Sequence, residues 1–232
     1  MTILITGGTG TLGRAVTEAL PKSHPVRVLS RRTGADLVTG RGLKEAVAGA
    51  ETIIHLASTR RGATDVTATE HLVDAASQVK HLVFISIVGV DRVPIGYYRG
   101  KLAAERVVAK VPNTILRATQ FHDLVHTILA GAARLPLMPV PAIRIQPVDV
   151  RDVAARLVEL ALGEPRGRVD DFGGPEVRDL RDLAHEYLAE TGRRRVLVPI
   201  RLPGKVFRAY RDGGHLAPDH AAGTITFAGR ES

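Results

Sequence analysis

Thr2-Ile3-Leu4-Ile5-Thr6-Gly7-Gly8-Thr9-Gly10-Thr11-Leu12-Gly13 opens the chain and decides how the rest is read. Its first five residues form a short β-branched, apolar run, the signature of a buried strand. Three glycines then fall at Gly7-x-x-Gly10-x-x-Gly13, and residues 14–20 put Ala15, Val16, Ala19 and Leu20 on one side of a helix. Strand, glycine turn and helix in this order are the context in which a dinucleotide is bound. Gly7 suits the tight exit from the strand, Gly10 a close backbone approach to pyrophosphate, and Gly13 the packing of helix on strand. The first N–H groups of the helix and its positive dipole end then face the phosphates, with Thr9, Thr11 and Leu12 in the same turn. The competing reading is a glycine-rich βα turn without a ligand.

The run TGGTGTLG resembles the cofactor loop of the short-chain dehydrogenase/reductase superfamily, and its spacing fits the extended and atypical branches better than the main one. A length of 232 residues suits one doubly wound α/β domain. With 44% hydrophobic and 24% charged residues the composition is that of an ordinary globular protein. No apolar run approaches the roughly 18 residues that cross a membrane. Met1 leads straight into a strand, so the expectation is no signal peptide and a cytoplasmic location. The absence of cysteine excludes disulfides and thiol catalysis. A net charge of +8 and a pI near 10.3 raise the question of nucleic acid. The arginines are scattered, however, and only 4% of residues are aromatic, which leaves few platforms for stacking bases. No nucleic-acid partner is expected, and the positive field serves equally to draw an anionic cofactor into a cleft.

Pro25-Val26-Arg27-Val28-Leu29 reads as the second strand and runs into Ser30-Arg31-Arg32. An acid at this point would bond a ribose 2′-hydroxyl, but none occurs between Glu18 and Asp36. Two guanidiniums beside a hydroxyl suit a 2′-phosphate instead, so NADP(H) is expected in preference to NAD(H). The competing reading of Arg31 and Arg32 is a solvated pair. Asp36-Leu37-Val38 reads as a brief third strand and residues 42–49 as a short helix. Residues 51–58 give the fourth strand and its exit, with His55 packed in the strand; the resemblance implies that Leu56, Ala57 and Ser58 line the adenosine and ribose. Residues 65–78 read as a helix.

His81-Leu82-Val83-Phe84-Ile85-Ser86 is an apolar, central fifth strand. Ser86 stands where the superfamily carries its active-site hydroxyl, although in many relatives that group lies a residue or two later, where this chain has Ile87 and Val88. The alternative is a hydroxyl that caps local backbone. Tyr97-Tyr98-Arg99-Gly100-Lys101 follows, then a helical run to Val108. Tyr97 and Lys101, four apart, share one helix face. An ammonium near a phenol favours the phenolate and fits Tyr97 for acid–base work near neutral pH. By the resemblance, Lys101 also reaches the nicotinamide ribose. Tyr98 does not match the superfamily pattern.

Asn113-Thr114-Ile115-Leu116-Arg117 makes the sixth strand. The resemblance implies that Thr119 and Phe121, just after it, touch the nicotinamide end, and that Gln120 and His122 face substrate. Together, Ile85 to Gly89, Tyr97 to Glu105 and Leu116 to Phe121 resemble the NmrA-like branch of the atypical short-chain dehydrogenases. That branch holds quinone and other small-molecule reductases, natural-product tailoring enzymes, and regulators that bind dinucleotide without turning it over. His122, Asp123 and His126 lack a third ligand at metal spacing, so no metal is expected. Residues 135–147, with four prolines, read as an extended loop at the substrate mouth. Asp149 or Asp152 caps a helix running to about Leu162. Residues 169–176 read as strand and turn, 180–191 as a helix, 193–200 as a strand, 202–210 as a last short helix, and 212–232 as a tail of little periodicity.

The sequence therefore predicts one Rossmann-type α/β domain, strand order 3-2-1-4-5-6, with a core over about 1–150 and a small C-terminal substrate cap over about 151–232. The expected function is an NADPH-dependent oxidoreductase that passes hydride to a small carbonyl or quinone-like substrate, as a monomer or homodimer. Tyr97 exchanges the proton, Lys101 tunes it, and Ser86 steadies the reacting oxygen. The rival readings are an NADP(H)-sensing regulator and a redox-neutral epimerase or dehydratase with tightly held cofactor.

Overall fold

The structure is a computed structural model that describes residues 1–59 and 61–228; the last four residues of the expected tail, 229–232, lie outside the described residues. In chain order the Rossmann half comprises β1 (Ile3–Thr6), α1 (Thr11–Ala19), β2 (Val26–Leu29), α2 (Leu43–Val47), β3 (Thr52–His55), α3 (Gly62–Ala75), β4 (His81–Ile87), α4 (Gly96–Val108) and β5 (Asn113–Ala118). It continues through α5 (His122–Ala132), β6 (Leu137–Pro141), β7 (Arg144–Ile145), α6 (Val150–Leu162), β8 (Gly167–Arg168), β9 (Arg178–Asp179), α7 (Leu180–Glu190), β10 (Val196–Ile200) and α8 (Lys205–Arg211).

Six strands form a parallel sheet in the order β2-β1-β3-β4-β5-β8. Alternate residues of each strand point to opposite faces, so a sheet covered on both sides needs apolar residues at every central position. On one face Ile3, Ile5, Ile54, Val83 and Leu116 meet Leu12 and Val16 of α1 and Val153 and Leu157 of α6. On the other, Leu4, Ile53, Leu82 and Phe84 meet Leu43 of α2, Leu72 of α3 and Val107 of α4.

The expected third strand at Asp36-Leu37-Val38 is absent: residues 37–38 lie in a turn, and Leu37 packs against the second core from there. The sheet ends on β2 instead and gains β8 at its far edge. The expected loop over 135–147 contains β6 and β7. β6 pairs in parallel with β10, and β7 antiparallel with β9. With α5 and α7 these strands enclose a separate core of Val125, Leu129, Met138, Val140, Leu183 and Tyr187. Asp149 caps α6, accepting the Arg151 N–H at 2.8 Å.

The tail is closely bound. Gln146, fully buried, accepts the Ala217 N–H at 2.8 Å and donates to the carbonyls of Gly174 and Ala217. Asp152 accepts the N–H groups of Thr224 and Ile225 at 2.8 and 3.0 Å, and Phe227 is buried in the cap core. Gly89, at φ +85°, leaves room for the tail: a Cβ there would lie 2.2 Å from the Gly214 carbonyl oxygen.

Candidate active site

At the carboxyl ends of β1 and β3 the strand order reverses, and such a switch point opens a crevice. The glycine turn sits there. Gly7 has φ +71°, and a Cβ on it would fall 2.8 Å from the Ala57 nitrogen. Gly10 donates its N–H to the Gly7 carbonyl at 3.0 Å, and a Cβ on Gly13 would lie 2.2 Å from that same oxygen. Gly10 caps α1 with no side chain, which leaves the first-turn N–H groups, from Thr11 and the buried Leu12 onward, aimed at the crevice. This turn fits a phosphate-bearing cofactor, because the tight backbone packing at Gly7 and Gly13 holds the side-chain-free start of α1 at the crevice.

Beside the turn lies a cavity of about 410 Å³ lined by Thr9, Arg14, Ser30, Arg32 and Thr33, with Glu18 also on its wall. Thr33 fixes Ser30, accepting its N–H at 3.1 Å and donating to its carbonyl at 2.7 Å. Arg31 and Arg32 are exposed, and Arg31 is not among the lining residues. Sequence reasoning passed over Arg14 and Glu18. Helical spacing from Gly10 was the available signal, since it turns residues 14, 17 and 18 toward the end of β2.

At the exit of β3, Thr6 and His55 lock two strands together. The Thr69 hydroxyl donates to the Asp65 carbonyl at 2.7 Å and so accepts from His55 Nε2 at 3.2 Å. That assignment leaves Nδ1 to accept from the Thr6 hydroxyl at 2.6 Å. Burial, reinforced by the nearby Lys101 charge, lowers the His55 pKa to about 3, so the ring stays neutral. It is a packed strand residue.

The Tyr97 ring is half-buried at the first turn of α4, and its hydroxyl lies 3.0 Å from Ser58 Oγ. Ser58 in turn donates to Asp65 Oδ2 at 2.6 Å. Asp65, from the first turn of α3, is buried, and its Oδ1 accepts both the N–H and the hydroxyl of Thr59 at 2.6 Å. One turn along α4, Lys101 is buried, with Nζ 3.1 Å from the Ile85 carbonyl and 4.5 Å from the Phe84 ring centroid. Burial brings its pKa down to about 8, with Asp65 and Glu105 pulling the other way. Such close approach of α3 to α4 requires glycine at position 100, where a Cβ would lie 2.3 Å from the Gly62 Cα, and leaves little room at Gly62, where a Cβ would lie 3.0 Å from the Gly96 carbonyl oxygen.

Ser86 is placed differently from its expected role. It is buried and donates to Glu105 Oε1, within a cluster where Arg117 grips both Glu105 oxygens at 2.9 and 2.7 Å and also reaches Asp91 at 2.8 Å. The cluster ties α4 to β4 and β5, one turn beyond Lys101. An arginine inside the apolar run Ile115–Leu116–Arg117 was the signal that a buried carboxylate had to face it. Tyr98 is buried, hydrogen-bonded to Tyr210, and its pKa is raised by burial.

Thr119, buried, accepts the Gly174 N–H at 3.2 Å, and Phe121 bridges to Val148 and packs against the first core. Gln120, expected at substrate, instead donates to the His215 carbonyl at 3.2 Å beneath the tail. His122 is buried 3.5 Å from Asp149 and edge-on to Phe227, while His126 stacks on that same ring at 4.7 Å. The tail thus covers the two positions read as facing substrate.

Residues 3–92 match the NAD dependent epimerase/dehydratase family. The match takes in the glycine turn, Ser58, Asp65 and Ser86 and stops short of Tyr97 and Lys101. In sequence the chain is similar to a (4-alkanoyl-5-oxo-2,5-dihydrofuran-3-yl)methyl phosphate reductase of Streptomyces griseus subsp. griseus, 29% identical over 216 residues, 82% of this chain and 74% of the relative. In fold it is similar to an NADPH-dependent quinone oxidoreductase from Escherichia coli complexed with NADPH, with TM-score 0.81, 20% identity and 97% of both chains covered. It is also similar to a dTDP-4-dehydrorhamnose reductase from Bacillus anthracis in complex with NADP, with TM-score 0.72, 17% identity, and 86% and 84% covered. These relatives are enzymes named as reductases or oxidoreductases, and the two solved structures share the Rossmann-type fold described above. Among the described residues no helix is long and apolar enough to cross a membrane.

Proposed function

We propose that the chain is an NADPH-dependent reductase of a small carbonyl or quinone-like substrate, with Tyr97 as the acid that protonates the developing oxyanion. The observation that carries this reading is the placement of Tyr97 and Lys101 on one face of α4, beside the crevice built by the glycine turn. When bound, the dinucleotide supplies the hydride. The turn and the N-terminus of α1 hold its pyrophosphate, Arg32 and Ser30 receive a 2′-phosphate, and Lys101 stands one turn behind the phenol, where its charge favours proton release. The named relatives support a conjugated or simple carbonyl as the acceptor: a furanone in one, a quinone in another, a keto sugar in the third.

The test is NADPH oxidation by the purified protein across quinones, enones, aldehydes and ketones, run beside Tyr97→Phe. Turnover with at least one class is expected, together with a loss of about 100-fold or more in the variant while NADPH binding persists. Tight NADPH binding without consumption by either protein overturns it. The family match favours a second reading, a redox-neutral epimerase or dehydratase. That reading requires cofactor to remain with the protein through purification, which an absorbance spectrum reveals.

A further inference from the structure

We propose that Ser58 and Asp65 form a hydrogen-bond switch that holds the Tyr97 hydroxyl at rest and then stabilises the charge it develops. The inference rests on the reading of Tyr97 as the acid.

A serine hydroxyl has one hydrogen to give. Ser58 gives it to Asp65 Oδ2 at 2.6 Å, so the hydrogen in the 3.0 Å contact with Tyr97 belongs to the phenol. At rest the chain of donors runs from Tyr97 to Ser58 to Asp65. Asp65 is its fixed end, buried and held through Oδ1 by two bonds from Thr59. With the dinucleotide bound to supply hydride to the carbonyl carbon, the phenol hydrogen would turn from Ser58 to the carbonyl oxygen, the Tyr97 O–H bond would break, and the proton would join that oxygen. The electron pair of that O–H bond stays on the phenolate. Rotation about the Ser58 Cβ–Oγ bond then swings the serine hydrogen from Asp65 to the phenolate, which lies equally within its reach. No proton crosses in that swing, and one proton from solvent later restores the phenol. Both bonds are to anions and so are charge-assisted, but the phenolate is the conjugate base of a much weaker acid than Asp65 and is the stronger acceptor, so the serine hydrogen follows the new charge.

Charged and titratable groups around this phenol include Asp65 on α3, reached through Ser58, the neighbouring Tyr98 ring 6.3 Å away, and Lys101 one turn along the same helix. Ser58 and Asp65 are positioning residues: they act on the reaction through Tyr97. Neither occupies the place where the site's hydroxyl was expected, which Ser86 fills while bonded to Glu105.

The test uses the full chain and follows Tyr97 ionisation by phenolate absorbance, as a difference from Tyr97→Phe, alongside kcat against pH. Asp65→Asn keeps the oxygen that Thr59 needs and puts an N–H donor opposite Ser58, which forces the serine to donate to Tyr97. Its phenol pKa is expected to fall by about one unit, a tenfold change in ionisation. Ser58→Ala removes the phenolate's donor and is expected to raise the pKa by a similar amount. Both variants lose about tenfold or more in kcat, with NADPH affinity unchanged. Ser58→Thr, which keeps the hydroxyl, retains the wild-type ionisation and rate. Shifts of the same sign in Asp65→Asn and Ser58→Ala, or no shift in either, overturn the switch even where Tyr97→Phe abolishes turnover. Full activity in Tyr97→Phe is the separate failure of the acid assignment, and the two ionisation shifts still decide whether the switch exists.

Discussion

Lys101 shows how one residue's surroundings set the conditions under which the site works. Its ammonium is buried against Phe84 and loses hydration, while Asp65 and Glu105 restore only part of that loss, leaving a pKa of about 8. As pH rises through that value the Lys101 charge disappears, and with it the support that the proposed reaction draws for the Tyr97 phenolate. The kcat/KM of the free enzyme is therefore expected to decline above about pH 8, and Lys101→Met to remove that limb of the profile along with most of the rate. A flat profile to pH 10 would show that the ammonium has no part in the step. At the other end of the crevice, Arg32 lines the cavity beside Ser30, and Arg31 adjoins it. Replacing both by Asp should weaken NADPH binding about 10- to 100-fold and leave NADH nearly unaffected, as cofactor fluorescence titration would report. Equal losses for the two cofactors would mean that the pair reads no 2′-phosphate.

Among the elements, the contact of α3 with α4 matters most. With Gly62 and Gly100 facing each other, the two helices approach closely enough for Asp65 of one to reach Tyr97 of the other through Ser58. In Gly100→Ala the new Cβ meets backbone, which has no rotamer to escape into, so the helices must part. The expected result is a fall in kcat of about tenfold with a lower Tm and NADPH binding intact, seen in parallel kinetic and melting experiments. A variant with wild-type kcat would show that the seam can open without disturbing Tyr97. The sequence made some elements plain and hid others for physical reasons. The first strand, its turn and the face shared by Tyr97 and Lys101 are local patterns, so they were readable. Asp36-Leu37-Val38 misled because Leu37 is apolar for packing from a turn, and three residues cannot distinguish that from a strand. Pro139 and Pro141 disguised β6, whose pairing with β10 alone leaves one side without backbone partners to satisfy. The partnership of Ser58 with Tyr97, and of Ser86 with Glu105, depends on which helices meet, and no local pattern encodes that.

Over the whole molecule, three buried histidines link folding to acidity. His55, His81 and His215 are each held below the ordinary histidine value by burial, the first to about 3 and the last to about 4. The folded chain keeps His55 and His215 neutral to well below pH 6, whereas in the unfolded chain they take up protons near pH 6.5. Their contribution to stability is complete above that value and is lost as pH falls from 6.5 toward the folded values, at about 1.4 kcal/mol per pH unit for each. Urea unfolding should accordingly show a loss of about 2.5 kcal/mol between pH 7 and 5.5 from His55 and His215. His215→Asn should flatten that slope by about one proton, and a slope unchanged by this substitution would assign the acid sensitivity elsewhere. The route of the tail has a further consequence, for the order in which the protein is made. Residues 214–227 close over Gln146 and complete the core around Tyr187, so the lobe built from α5, β6, α7 and β10 has to wait for them to leave the ribosome. The parallel sheet through β5 needs from the later chain only α6, which covers one of its faces, and the short edge strand β8. A nascent chain can thus carry a nearly finished nucleotide half beside an open, apolar cap, and that interval is when a chaperone would find most to hold.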